Sequence, residues 1–117
     1  HGGVLAFASE QNAVNVPIPL AFIDYNDPEA ATRDILAEGD ALAAVLVEPM
    51  MGSGGCIPAT REFLAALRDA TRRTGAVLIF DEVMTSRHGA GGLQARHGVI
   101  PDMTTLGKYM AGGMSFG

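Results

Sequence analysis

Two uninterrupted apolar runs stand out along the chain: Ala43-Ala44-Val45-Leu46-Val47 and Ala76-Val77-Leu78-Ile79-Phe80. Neither alternates with polar residues, so each is expected to form a strand covered on both faces, as in a parallel sheet. Between them, Phe63, Leu64, Leu67 and Ala70 recur at helical spacing, while Arg61, Glu62, Arg68, Asp69 and Arg72 point away. This pattern predicts a helix from about Arg61 to Thr74, capped by Thr60 and closed by Gly75. Another helix is predicted to start at Pro28, with Asp27 as its cap and Glu29 in its first turn. Its inner face holds Ile35 and Leu36, and Gly39 is its stop.

The remaining stretches are shorter or irregular. Ala21-Phe22-Ile23 reads as a short strand. Met50 to Pro58, with Gly52, Ser53, Gly54 and Gly55, reads as a loop. Met84 to Gly98 reads as a longer loop than a simple connection needs. A last short strand is expected between Pro101 and Lys108. His1 to Pro19 carries apolar patches at Val4 to Phe7 and Val14 to Val16, with irregular structure or short strands equally compatible. The order is strand, helix, strand, helix, strand, loop, short strand. It predicts an α/β fold, a mostly parallel sheet with helices on both faces, joined by right-handed crossovers.

Bulk properties narrow the class. The chain has 117 residues, enough for one small domain. A net charge of -5 argues against nucleic acid as a partner, which would call for a basic face. Cys56 is the single cysteine, so no disulfide framework is expected and a reducing, cytoplasmic compartment fits. No apolar run approaches the roughly 18 residues that span a bilayer, and no membrane partner is expected. The chain opens at His1 and stops at Met114-Ser115-Phe116-Gly117, inside a glycine-rich stretch. We therefore expect residues 1–117 to be an internal piece of a longer chain.

The candidate chemistry sits at the end of the second apolar run. A buried strand that stops at Asp81-Glu82 puts a carboxylate at the carboxyl edge of the sheet, where open α/β sheets bind ligands. A strand-terminal aspartate can equally cap a helix or tie a loop. Its functional alternative is a buried anion matched to a cation, such as a protonated pyridine nitrogen or a metal. Lys108 lies between Gly107 and Gly112-Gly113, at the end of the next apolar stretch. Most lysines are solvated surface charges. In an apolar pocket, however, a lysine has a lowered pKa and attacks carbonyls, forming a Schiff base. Glu48 ends the first apolar run and reads as a structural acid or as a support for the site. His1, His88, His97 and Cys56 have no metal-ligand spacing. The magnesium-binding strand of P-loop ATPases also ends in Asp-Glu, but it needs G-x-x-x-x-G-K-[ST] upstream. Gly107-Lys108 is followed by Tyr109 and lies downstream, so that alternative fails.

Taken together, these residues resemble a known family. Glu48-Pro49-Met50, then Thr74 to Thr85 with its Asp81-Glu82-Val83-Met84-Thr85, then Pro101 to Lys108 and Gly112-Gly113-Met114 are similar to class III aminotransferases. These are pyridoxal-phosphate enzymes of fold type I. The glutamate-1-semialdehyde aminomutase-like branch shares the Asp-Glu-Val-Met-Thr run. The resemblance implies that residues 1–117 form part of the cofactor-binding large domain. It implies that Lys108 forms a Schiff base with the cofactor and then moves the substrate's α-proton. Asp81 would pair with the pyridinium nitrogen, Val83 would pack on one ring face, and Glu48 would support the site. Small-molecule amines, amino acids and carbonyl compounds would be the substrates, and a homodimer the assembly. His1 would follow the aromatic that stacks on the other ring face.

The resemblance also implies that the phosphate-binding turn precedes His1. A threonine reaching the phosphate from a partner subunit would lie after Gly117, as would the small C-terminal domain. Many relatives carry a glutamate after Glu-Pro that pairs with a gating arginine. The matching position here is Ser53, which favours the aminomutase-like branch. Three readings follow: a transaminase, an aminomutase moving the amino group within one molecule, and a piece that is non-catalytic by itself.

Overall fold

The computed structural model describes residues 19–115. The patches at Val4 to Phe7 and Val14 to Val16, and the position assigned to His1, lie outside the described residues. Among the described residues, five strands and three α-helices follow in order: α1 (Pro28–Glu38), β1 (Ala44–Val47), β2 (Met50–Met51), β3 (Ile57–Pro58), α2 (Arg61–Thr74), β4 (Val77–Asp81), α3 (Gly92–His97) and β5 (Met103–Thr105).

Local signals set the helix ends. Asp27 accepts a hydrogen bond from Ala30 N at 2.9 Å and caps α1, and the hydroxyl of Thr60 accepts from Phe63 N at 3.1 Å and caps α2. Gly75 closes α2 in the left-handed conformation, φ 79°, which glycine adopts without a Cβ penalty. Asn26 ties the two helix entries together. Its side chain donates to Pro58 O and accepts from Thr60 N.

The main sheet is parallel, in the order β1-β4-β5. Val45 and Val47 of β1 and Leu78 and Phe80 of β4 point to one face. There they meet Ala31 and Ile35 of α1 and Phe63, Leu64, Leu67 and Ala70 of α2. This is the core. The fully covered strand expected from the apolar runs is not what forms. Burial alternates along β1 and through the first half of β4, and Leu46 remains 50% exposed. The two long helices cover one face only, because both belong to the same packed layer. Val77 and Met103 are also open on the other face.

Four other expectations are corrected. Ala21-Phe22-Ile23 forms no strand: it pairs with none of the described residues, and Phe22 is exposed. The segment after Glu48 is a small antiparallel hairpin, β2 paired with β3. The stretch from Met84 to Gly98 contains a 3₁₀ turn, Ser86–His88, and the short helix α3. Arg68 does not point into solvent, since its guanidinium lies 2.9 Å from Asp102. Asp102 also accepts from Leu78 N and donates its own N–H to Leu78 O, which sets the start of β5 against β4. The Leu78 N–H first, and Arg68 second, hold the Asp102 carboxyl below the usual range.

Candidate functional site

Strand alternation separates the two neighbouring acids. Asp81 follows Val77 and Ile79 onto the face away from the helices, and Glu82 returns to the helix side. Asp81 is 7% exposed. Its Oδ1 accepts from Val83 N and from the Thr105 hydroxyl, both at 3.0 Å. Thr105 is also the register partner of Asp81 across the β4–β5 pair. The carboxylate is therefore held by the ends of two adjacent parallel strands, at the edge where such sheets take ligands.

Val83 approaches the other strand end. A Cβ built on Gly107 would sit 3.4 Å from Cγ1 of Val83 and 3.6 Å from its Cγ2. The valine methyls therefore face the residue before Lys108. Lys108 opens the 3₁₀ turn Lys108–Ala111 with φ 54°, in the left-handed region. That region costs an ordinary residue roughly 1–3 kcal/mol and persists only when surroundings impose it. Asp81, Val83 and Lys108 thus leave β4 and β5 at one edge. The apolar pocket expected around Lys108 does not form from its sequence neighbours. Leu106, Tyr109 and Met110 are themselves exposed, and so is the lysine.

Glu48 ends β1 at the same edge. Its Oε2 accepts from Gly52 N at 2.9 Å, so it fastens the hairpin turn. Its backbone carbonyl accepts from the Tyr25 hydroxyl at 2.8 Å. Burial pushes the Tyr25 phenol up to about 12, opposed by the Met51 backbone and reinforced by the Glu48 charge.

Glu82 has a role that the sequence reading did not assign. It is fully buried and accepts from the Thr85 hydroxyl, Leu93 N and Gln94 N at 2.7–2.9 Å. The two amides belong to the start of α3, which is drawn down onto the strand end. Gly92 makes the approach possible, because any Cβ there would overlap the carboxylate. Beside it, a shallow cleft of about 260 Å³ is lined in part by Glu82, Gln94, Thr104, Leu106 and Tyr109. The signal was the Gly91-Gly92 pair downstream of Asp81-Glu82.

The arrangement has the chemistry to hold a cationic heterocycle bearing an aldehyde. It offers a nearly buried carboxylate, a branched apolar side chain and an exposed amine, all borne by two neighbouring strand ends. Residues 3–117 match the family model described as Aminotransferase class-III. The chain is 50% identical over 117 residues to the beta-phenylalanine transaminase of Variovorax paradoxus, covering 100% of this chain and 27% of that protein. The crystal structure of the Variovorax paradoxus beta-phenylalanine aminotransferase superposes with a TM-score of 0.84 and 48% identity, over 88% of this chain and 24% of that one. The glutamate-1-semialdehyde 2,1-aminomutase of Pyrobaculum calidifontis is 52% identical over 96 residues, 81% of this chain and 22% of its own length. A transaminase solved with PLP bound superposes with a TM-score of 0.77 and 34% identity, over 93% of this chain and 29% of its own. The chain thus spans about a quarter of the length of these relatives, and a family match over nearly all of its residues places it: it belongs to the class III aminotransferases.

Proposed function

We propose that this chain is the ring-binding and lysine-bearing part of a pyridoxal-phosphate-dependent transaminase. One observation carries the reading: the ends of β4 and β5 are locked together by the Thr105–Asp81 hydrogen bond, and Lys108 follows three residues later. A nearly buried carboxylate favours a charged partner of opposite sign, which suits a protonated ring nitrogen. A primary amine is the group that condenses with the cofactor's aldehyde. When bound, pyridoxal phosphate supplies an electron sink for the carbanion left by removal of a substrate α-proton.

The chain's own residues have separable tasks. Asp81 keeps the proton on the ring nitrogen, and Val83 N–H and Thr105 hold that carboxylate in place. The Val83 side chain forms an apolar wall beside Gly107. The Lys108 Nζ takes the α-proton and returns it, as a positioned base and acid. Glu48 supports the edge through Gly52. Substrates are an amine or amino acid as donor and a carbonyl compound as acceptor, handled by a cytoplasmic homodimer.

Ser53 and the aminomutase relative favour a second reading, in which one molecule is both donor and acceptor. Turnover without a separate acceptor would single it out. The first test is Lys108→Ala in the full-length enzyme. It should remove the visible absorption band of the bound cofactor and any borohydride-stable adduct; an unchanged spectrum would remove the assignment.

A further inference from the structure

The strained turn at Lys108 needs something to impose it, and the residue after it supplies the contact. The Tyr109 hydroxyl donates to Ser86 Oγ at 3.0 Å. The Arg87 guanidinium carbon lies 5.4 Å from the centre of the Tyr109 ring, within cation–π range. Ser86 and Arg87 belong to the 3₁₀ turn that follows β4. That turn is itself anchored, since Ser86 N donates to Glu82 O at 2.9 Å and Glu82 is fully buried. The contacts therefore run from the strand end that carries Asp81, through Ser86 and Arg87, to Tyr109 and the lysine turn. Within the turn, Met110 N donates to Gly107 O at 3.3 Å and closes it across Lys108.

We propose that Tyr109 is a positioning residue for Lys108: through Ser86 and Arg87 it clamps the left-handed turn that aims the lysine amine across the edge shared with Asp81. The inference rests on the transaminase reading and adds to it a specific group that sets the amine's place. A phenol fits the task because it offers a donor for Ser86 and a π-face for Arg87 on one rigid ring. The contacts of Tyr109 run to Ser86 and Arg87, so its loss acts through placement of the base. Misplacement of a catalytic group by a fraction of an ångström to an ångström costs roughly ten- to a hundredfold in rate.

The test uses the full-length enzyme loaded with pyridoxal phosphate, compared with Tyr109→Phe and Ser86→Ala. Both variants should keep the wild-type melting temperature within a few degrees. Both should lower kcat about tenfold with KM changed less than about twofold, the pattern of a misplaced acid–base group. Both should also shift the midpoint of the pH titration of the visible band, a readout that a structural role alone leaves in place. The double variant should be no worse than either single one, because the two groups form one contact. Variants with wild-type kcat and an unshifted midpoint would overturn the clamp while leaving the transaminase reading intact. A wild-type enzyme with no visible band would overturn both.

Discussion

Asp81 and Glu82 share a peptide bond, yet they serve opposite sides of the sheet. On the helix side, Glu82 is fully buried and closed in by three donors and a glycine. On the far side, Asp81 accepts from the Val83 amide and the Thr105 hydroxyl at the seam between two strand ends. The core residues of α1 and α2 back the first side, whereas Leu46, Val77 and Met103 lie open on the second. The same charge therefore does structural work in one place and, in the proposed transaminase, faces the cofactor ring in the other. What separates them is the two-residue period of a strand.

That contrast is broken most directly at Glu82. Glu82→Ala would leave the Leu93 and Gln94 amides and the Thr85 hydroxyl without their acceptor. Buried donors left unpaired cost about 1–3 kcal/mol each, so the full-length enzyme should lose roughly 3–5 kcal/mol of stability by denaturant unfolding. A loss below about 1 kcal/mol would mean that water reaches α3 and that this side is less closed than it looks.

Asp81→Asn probes the other half. An asparagine oxygen can still accept from Val83 N and Thr105, so stability should change by less than about 1 kcal/mol. What disappears is the negative charge that favours a protonated ring nitrogen. We expect kcat to fall about a hundredfold, equivalent to about 2.7 kcal/mol in the barrier, measured by steady-state kinetics on the full-length enzyme. An active Asp81→Asn enzyme that is instead poorly stable would reverse the roles assigned to the two acids.

How much of this was legible in the chain follows from how local each signal is. The span of α2 could be read to the residue, because its cap, apolar face and closing glycine all lie within sixteen positions, Thr60 to Gly75. The edge placement of Asp81 and Lys108 was legible too, since a strand ending in an acid and a glycine-flanked lysine are contiguous patterns. What escaped were non-local facts. Apolar runs do not reveal on which face the helices pack, so the one-sided cover of β1 and β4 was misread. Ala21-Phe22-Ile23 looks like a strand but finds no neighbour among the described residues. The Glu82–Gly92 contact joins residues ten apart through a turn whose path only the fold defines.

The smallest expected effect concerns Tyr25, whose ring lies 5.1 Å from Phe63 on the closed side. Its phenol is pushed up to about 12, chiefly by burial. The ordinary value is about 10, so the folded state holds this proton more tightly than the unfolded chain does. The contribution is therefore complete below pH 10 and is lost as pH rises from 10 towards 12. Tyr25→Phe removes the hydroxyl from Glu48 O and should cost about 1 kcal/mol at neutral pH. Denaturant unfolding across the alkaline range checks the sign: the gap between wild type and variant should be flat up to about pH 9.5 and then narrow, because only wild type has this phenol to ionise. A gap that varied between pH 6 and 9 would show that another titrating group reaches this side of the sheet.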